Sequence, residues 1–298
     1  MIDGYLLALY AAAFATIATL IDKKILFKEH ALEYVTTWAI ATFIIITPFL
    51  IWRLDFNFPN YFWWVMLLIG ILNTTGAIYL TKTFRHLEIS VASPLMGFEP
   101  AFIVLLAFLF LNETVSYLQM WGLVLILSGG YLLEIRKEKF SLLQPLKEMI
   151  NSKYIHYGLL AIVCYGTSSV ISRYILNPEN NLGLNIFTYF FVIKFFTAFF
   201  LLALLSILYD GIQGVKNGVK NMGWLLIPAI FFSIFHGFIT LYAISLPAVN
   251  VGLIMAVKRV SIFFETLIGG ELFHDHNLFL KLISSIVMIA GAYLIIAA

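Results

Sequence analysis

Ten apolar stretches follow one another along the 298 residues, at roughly 4–21, 31–52, 61–81, 89–111, 116–135, 154–175, 184–209, 223–245, 249–270 and 278–297. Each is about long enough to cross a bilayer, for which ~20 residues at a 1.5 Å rise suffice. Backbone polar groups in lipid must be satisfied inside the segment, so the expected fold class is all-α integral membrane. Composition agrees: 62% of residues are hydrophobic and 11% charged, where soluble domains carry about 25% charged residues. A net charge of +2 without a dense Lys/Arg block leaves no case for a nucleic-acid partner. The single cysteine, Cys164, excludes an intramolecular disulfide and a Cys-rich metal site. Residues 1–21 lack a basic leader and run straight into a spanning pattern, so they read as the first membrane helix.

A polar, basic segment at 136–153, containing Pro145, divides the chain at its midpoint. The halves, 1–135 and 154–298, resemble each other at an offset of about 150–162 residues. Residues 15–24 (ATIATLIDKK) match 165–174 (YGTSSVISRY), which sets Lys23 against Arg173; 81–91 match 241–251, and SGGYL at 128–132 matches AGAYL at 290–294. Five spans per half is an odd number, so the halves enter the membrane in opposite senses. The expectation is ten transmembrane helices as two inverted five-helix repeats, the architecture of alternating-access transporters, with a site near the midplane. Between the spans, one side receives Lys23, Lys24, Lys28, Lys82, Arg85, the central linker, Lys216 and Lys220, the other Arg53 and little else. The Lys/Arg bias therefore places the linker in the cytoplasm and both termini outside.

Ionisable residues inside such spans are costly and mark function by default. Lys258 and Arg259 sit mid-way along 250–271, and Glu265 follows seven residues after Lys258, close to the same helical face. Glu99 lies mid-span in the fourth stretch between Pro94 and Pro100, which remove backbone donors and free carbonyls to face a cavity. The repeat alignment sets Glu99 opposite Arg259, so the two should meet near the pseudo-two-fold axis. Either they form a structural ion pair, or they hold a substrate's charges, with Glu99 as proton carrier a third option. Lys258 and Arg259, about 100° apart on a helix, must face different partners. Lys194 and His236 are further buried candidates, His236 as a proton relay or a packing histidine. Counting Lys194, Lys258 and Arg259 against Glu99 and Glu265 gives a net positive cavity. That favours an anionic or zwitterionic substrate, an amino acid or other carboxylate, which a guanidinium suits. Asn73, Tyr79 and Tyr242 are candidates to complete the pocket, Tyr189 less so, each with an interhelical hydrogen bond as the alternative. The Tyr61–Trp64 aromatic run reads as an interfacial belt, and Asp22, Lys23 and Arg173 as anchors at helix ends. Gly129-Gly130 and Gly269-Gly270 read as close-packing or hinge positions.

The first half carries Ala92-Ser93-Pro94-Leu95, Pro100, Leu111-Asn112-Glu113 and Gln119-Met120-Trp121-Gly122 before Ser128-Gly129-Gly130. This pattern resembles the ending of each repeat in the drug/metabolite transporter superfamily, in its ten-helix EamA-like branch. The second half departs from it: Lys258-Arg259-Val260-Ser261 stands where a proline region is expected, Glu271 and Asp275 are rival counterparts of Glu113, and Ser284 replaces the glycine. The resemblance implies a ten-helix secondary transporter of small metabolites in the inner or plasma membrane, working without ATP. It also implies cytoplasmic termini in many members, whereas the charge count of this sequence places both termini outside.

The chain lacks a G-x-x-x-x-G-K-[ST] loop and an HExxH pattern, so no cofactor or metal is expected, and His274-Asp275-His276 reads as a polar turn. The expected partners are a small-molecule substrate, with proton coupling open, and the lipid bilayer, the protein being a monomer or homodimer. Two alternatives stay open: a polytopic membrane enzyme acting on a lipid-like substrate, and a channel or sensor.

Overall fold

In the computed structural model, residues 2–26, 30–87, 92, 95–133, 152–180, 182, 184–247, 249–272 and 278–298 are described, and every regular element among them is helical. The helices are α1 (Ile2–Leu26), α2 (Ala31–Leu50), α3 (Tyr61–His86), α4 (Glu99–Leu111), α5 (Tyr117–Leu133), α6 (Lys153–Leu176), α7 (Ile186–Leu208), α8 (Ile212–Met222), α9 (Leu226–Ser245), α10 (Val251–Lys258), α11 (Ser261–Leu272) and α12 (Leu278–Ala297). Among the described residues six helical segments have the length and hydropathy to cross a membrane, and shorter apolar helices accompany them. Large apolar side chains stay exposed on the outside, Phe49, Phe110, Ile207 and Trp52 among them. That is an outer surface suited to lipid. Buried threonines fold their hydroxyls back onto the carbonyl four residues earlier, as Thr74 does to Gly70 (2.8 Å) and Thr81 to Ala77 (2.7 Å). Such bonds hide polar atoms within one helix.

Both helices carrying the charged centre are interrupted, where the sequence reads as continuous. Leu95 and Met96 are helical, Gly97 and Phe98 turn, and α4 begins at Glu99 with Pro100 in its first turn. The 249–270 stretch breaks at Arg259–Val260, where Arg259 N bonds back to Ala256 O (3.0 Å) and Val260 N to Val257 O (3.1 Å) before α11 starts. Lys258 and Glu265 therefore lie on separate helices, which corrects the expected shared face. A further correction lies between α7 and α9. Positive-φ glycines, Gly211 (φ 54°) and Gly223 (φ 56°), bracket the amphipathic α8, which buries Gly214 and Gly218 against α7 and α2 and exposes Lys216 and Lys220. The basic residues Lys23 and Lys24 belong to the last turn of α1, Arg85 to the last turn of α3 and Lys82 to the turn before it, rather than to connections. At 25 residues α1 is about 37 Å long, so its end reaches past a ~30 Å hydrocarbon core.

Packing follows a regular scheme. α1 lies along α9, α3 along α6, α2 along α7 and α5 along α12, while α4 crosses α10 and touches α6, and α1 touches α10 and α11. Small residues allow the closest approaches. A Cβ on Gly252 would lie 2.9 Å from the backbone of Val104, and one on Gly122 would lie 2.6 Å from Gly291 O. Gly129 is likewise crowded by Ser284 O (2.8 Å), whereas Gly130 has open space around its Cα. Expectations that fall on 134–151, Ser93, Pro94, the side chains of Gly269, Gly270 and Glu271, and His274–His276 lie outside the described residues.

Candidate functional site

The two helix breaks place opposite charges at matching helix ends. Glu99 opens α4, where the backbone presents unbonded N–H groups, and Arg259 closes α10, where it presents carbonyls. Each charge suits the dipole of its half-helix. Arg259 Nη2 donates to Glu99 Oε2, so the pair expected from the repeat alignment meets. Arg259 still has a donor to spare, because its buried Nε has no protein partner.

The pair lines an internal cavity of about 350 Å³ that extends from Glu99 and Arg259 towards the last turns of α1 and the first turn of α2. Lys194, His236, Lys258 and Glu265 line it too, as does Asp22. Lys194 does not snorkel: its Nζ lies 5.0 Å from the Trp38 ring centre and 5.3 Å from that of Phe190, positions that favour a cation through the ring quadrupole. His236 Nδ1 and Trp38 Nε1 are buried without a protein hydrogen-bond partner, as is Asp22 Oδ1. Buried polar atoms are rarely left unpaired unless something else binds there.

Asn73, Tyr79 and Tyr242 do not line this cavity. Asn73 Oδ1 accepts from Ser168 Oγ (2.9 Å), Tyr79 packs on the Tyr157 ring, and Tyr242 is half-exposed on the outside of α9. Tyr189 is tied to Ser172 by a hydroxyl bond. For these four the interhelical or outer-face alternative holds, because residue type alone cannot tell which face of a helix turns inward.

A second polar cluster sits at the opposite end of the bundle. Asn112 adopts a left-handed conformation (φ 54°) that ends α4, and Glu113 N closes the turn on Ala107 O (3.2 Å). This turns the Glu113 carboxylate onto Arg173 Nε (2.8 Å) and onto Val251 N (2.9 Å), the first amide of α10. Arg173, 3% exposed, also donates to Ile244 O (2.9 Å), Leu246 O (2.7 Å) and Val249 O (2.8 Å) at the end of α9. Lys23 does the same at the other end, donating to Phe84 O and to Leu87 O (2.8 Å) at the end of α3. Lys23 therefore ties the end of α1 to the end of α3, and Arg173 ties the end of α6 to the end of α9, a role beyond anchoring.

Residues 2–135 match the EamA-like transporter family. That family suggests a membrane transporter of the drug/metabolite superfamily, and together with the apolar helices it points to a multi-pass membrane protein. A solved crystal structure shares the fold at a TM-score of 0.63 and 14% identity, covering 98% of this chain and 97% of that chain. No curated protein matches the sequence.

Proposed function

We propose that the chain is a secondary transporter that moves a small carboxylate-bearing or zwitterionic metabolite by alternating access. Two inverted repeats, α1–α5 and α6–α12, would rock against each other around the Glu99–Arg259 pair. The observation that carries this reading is that pair, formed where two interrupted helices meet and facing a buried, charged cavity. Interrupted helices whose ends meet charged groups at mid-membrane are how secondary transporters bind cargo. The packing scheme supports the repeats. Exchanging the halves turns α1·α9 into α6·α3 and α4·α6 into α11·α1, and returns α2·α7 and α5·α12 to themselves. Lys23 and Arg173, which perform one task at opposite ends, obey the same exchange.

The cavity reaches towards the α1 C-terminal end, while Glu113, Arg173 and the packed core around Tyr5, Val170 and Val249 close the other. With the basic ends of α1 and α3 in the cytoplasm, this is an inward-facing state with both termini outside. Lys258, Lys194 and the free Nε of Arg259 would hold the carboxylate, and Glu99 fixes the guanidinium. The family match favours transport over the lipid-enzyme alternative. A thermal-shift screen of the detergent-purified protein against amino acids, organic acids, sugars, nucleosides and cationic drugs tests the reading. A ligand at 100 times its Kd adds about 2.7 kcal/mol. A carboxylate that stabilises the wild type but not Lys258→Met supports it, and stabilisation by cationic drugs alone refutes it.

A further inference from the structure

Asp22 changes the chemistry of the cavity. By position it marks the end of a membrane span, but α1 continues to Leu26 and turns Asp22 inward, where it lines the cavity. Among the described residues the ionisable lining then holds three cations, Lys194, Lys258 and Arg259, and three carboxylates, Asp22, Glu99 and Glu265. The cavity is balanced rather than positive, and its charges differ in how far they are committed. Glu99 is engaged by Arg259. Asp22 is held by the Tyr34 hydroxyl, and its Oδ1 is buried with no hydrogen-bond partner.

We propose that Asp22, positioned by Tyr34, is the subsite for the ammonium group of a zwitterionic substrate whose carboxylate sits at Lys258 and Arg259. This rests on the central-cavity reading above and narrows it to molecules carrying both charges. A carboxylate oxygen without a partner, enclosed in protein, gains most from a group that brings both positive charge and N–H donors. An ammonium supplies three such donors. A plain carboxylate would leave Asp22 unanswered, and a site built to bond a group rejects analogues that lack it.

The test uses a matched set: L-phenylalanine, 3-phenylpropionate and phenethylamine, each titrated calorimetrically into the detergent-purified full chain. The expected result is that wild type binds L-phenylalanine at least tenfold more tightly than 3-phenylpropionate. Asp22→Asn, which keeps an acceptor for Tyr34, should erase that preference by weakening L-phenylalanine binding at least tenfold. Tyr34→Phe, which frees the carboxylate without removing it, should reduce the preference partly. Equal binding of phenylalanine and phenylpropionate by wild type and Asp22→Asn overturns the Asp22 subsite while the carboxylate site stands. Binding of phenethylamine but not phenylpropionate, lost in Asp22→Asn, keeps the subsite and overturns the carboxylate site. Failure of all three to bind wild type overturns both.

Discussion

If Glu113 and Arg173 hold one end of the transporter shut, then Glu113→Gln should open it. The carboxylate accepts from Arg173 Nε at 2.8 Å and from Val251 N at 2.9 Å, with Arg173 3% exposed. An amide keeps one acceptor, turns its NH2 onto a second donor and leaves the guanidinium without its counter-charge. Charge-assisted hydrogen bonds contribute about 1.5–3 kcal/mol against ~1 for neutral ones, so the closed state should lose about 1–2 kcal/mol. That multiplies the open population by about 5–30. Val170, one turn before Arg173 on α6 and 5% exposed, reports the opening. In a Cys164→Ser background, Val170→Cys should react with a membrane-impermeant maleimide about 5–30 times faster when Glu113→Gln is added, the range following the free-energy loss above. Glu179→Gln, exposed in the pocket that Glu113 and Arg173 also line, serves as control and should leave the rate unchanged. An unchanged rate in Glu113→Gln, or an equal rise in the control, would refute the clamp.

Three further outcomes follow from the packing and the charges. Gly122→Leu should lower thermal stability in detergent by about 1–3 kcal/mol or more, because its Cβ meets Gly291 O at 2.6 Å; Gly130→Ala, with open space around it, should be neutral or stabilising, and equal effects would sink the packing argument. Glu99→Gln should cost about 3–5 kcal/mol by stranding Arg259, and adding Arg259→Met should recover much of it in a double-mutant cycle; strict additivity would mean that the pair does not interact. Lys194→Met should weaken carboxylate binding about tenfold, a loss near 1.4 kcal/mol, while Lys82→Met, outside the cavity, should not; equal losses in an equilibrium binding assay would remove Lys194 from the site.

The apolar runs made the membrane fold legible, since lipid admits few solutions, and the alignment of halves foresaw that Glu99 meets Arg259. The helix break at Arg259–Val260 was hidden because hydropathy does not register backbone bonds and no proline marks the turn. Two glycines in IQGVKNGVKNM made α8 read as a basic connection, and only its packing on α2 and α7 shows why they are small. Asp22 read as an anchor because it lies near the end of an apolar run, and Asn73, Tyr79 and Tyr242 read as pocket candidates because a polar residue in a span does not reveal which way it faces. Facing is a tertiary property. It emerges when α1 extends past the apolar run, or when Ser168 occupies the Asn73 amide.

The central claim is that a buried charged site binds a carboxylate and carries it across the membrane. The direct measurement is radiolabelled uptake into proteoliposomes of the ligand found by thermal shift, in wild type and in Arg259→Ala. Saturable uptake by wild type, abolished in a correctly folded Arg259→Ala, is the predicted result. Uptake that persists in the variant with an unchanged half-saturation concentration, or ion conductance without saturable uptake, would contradict the account.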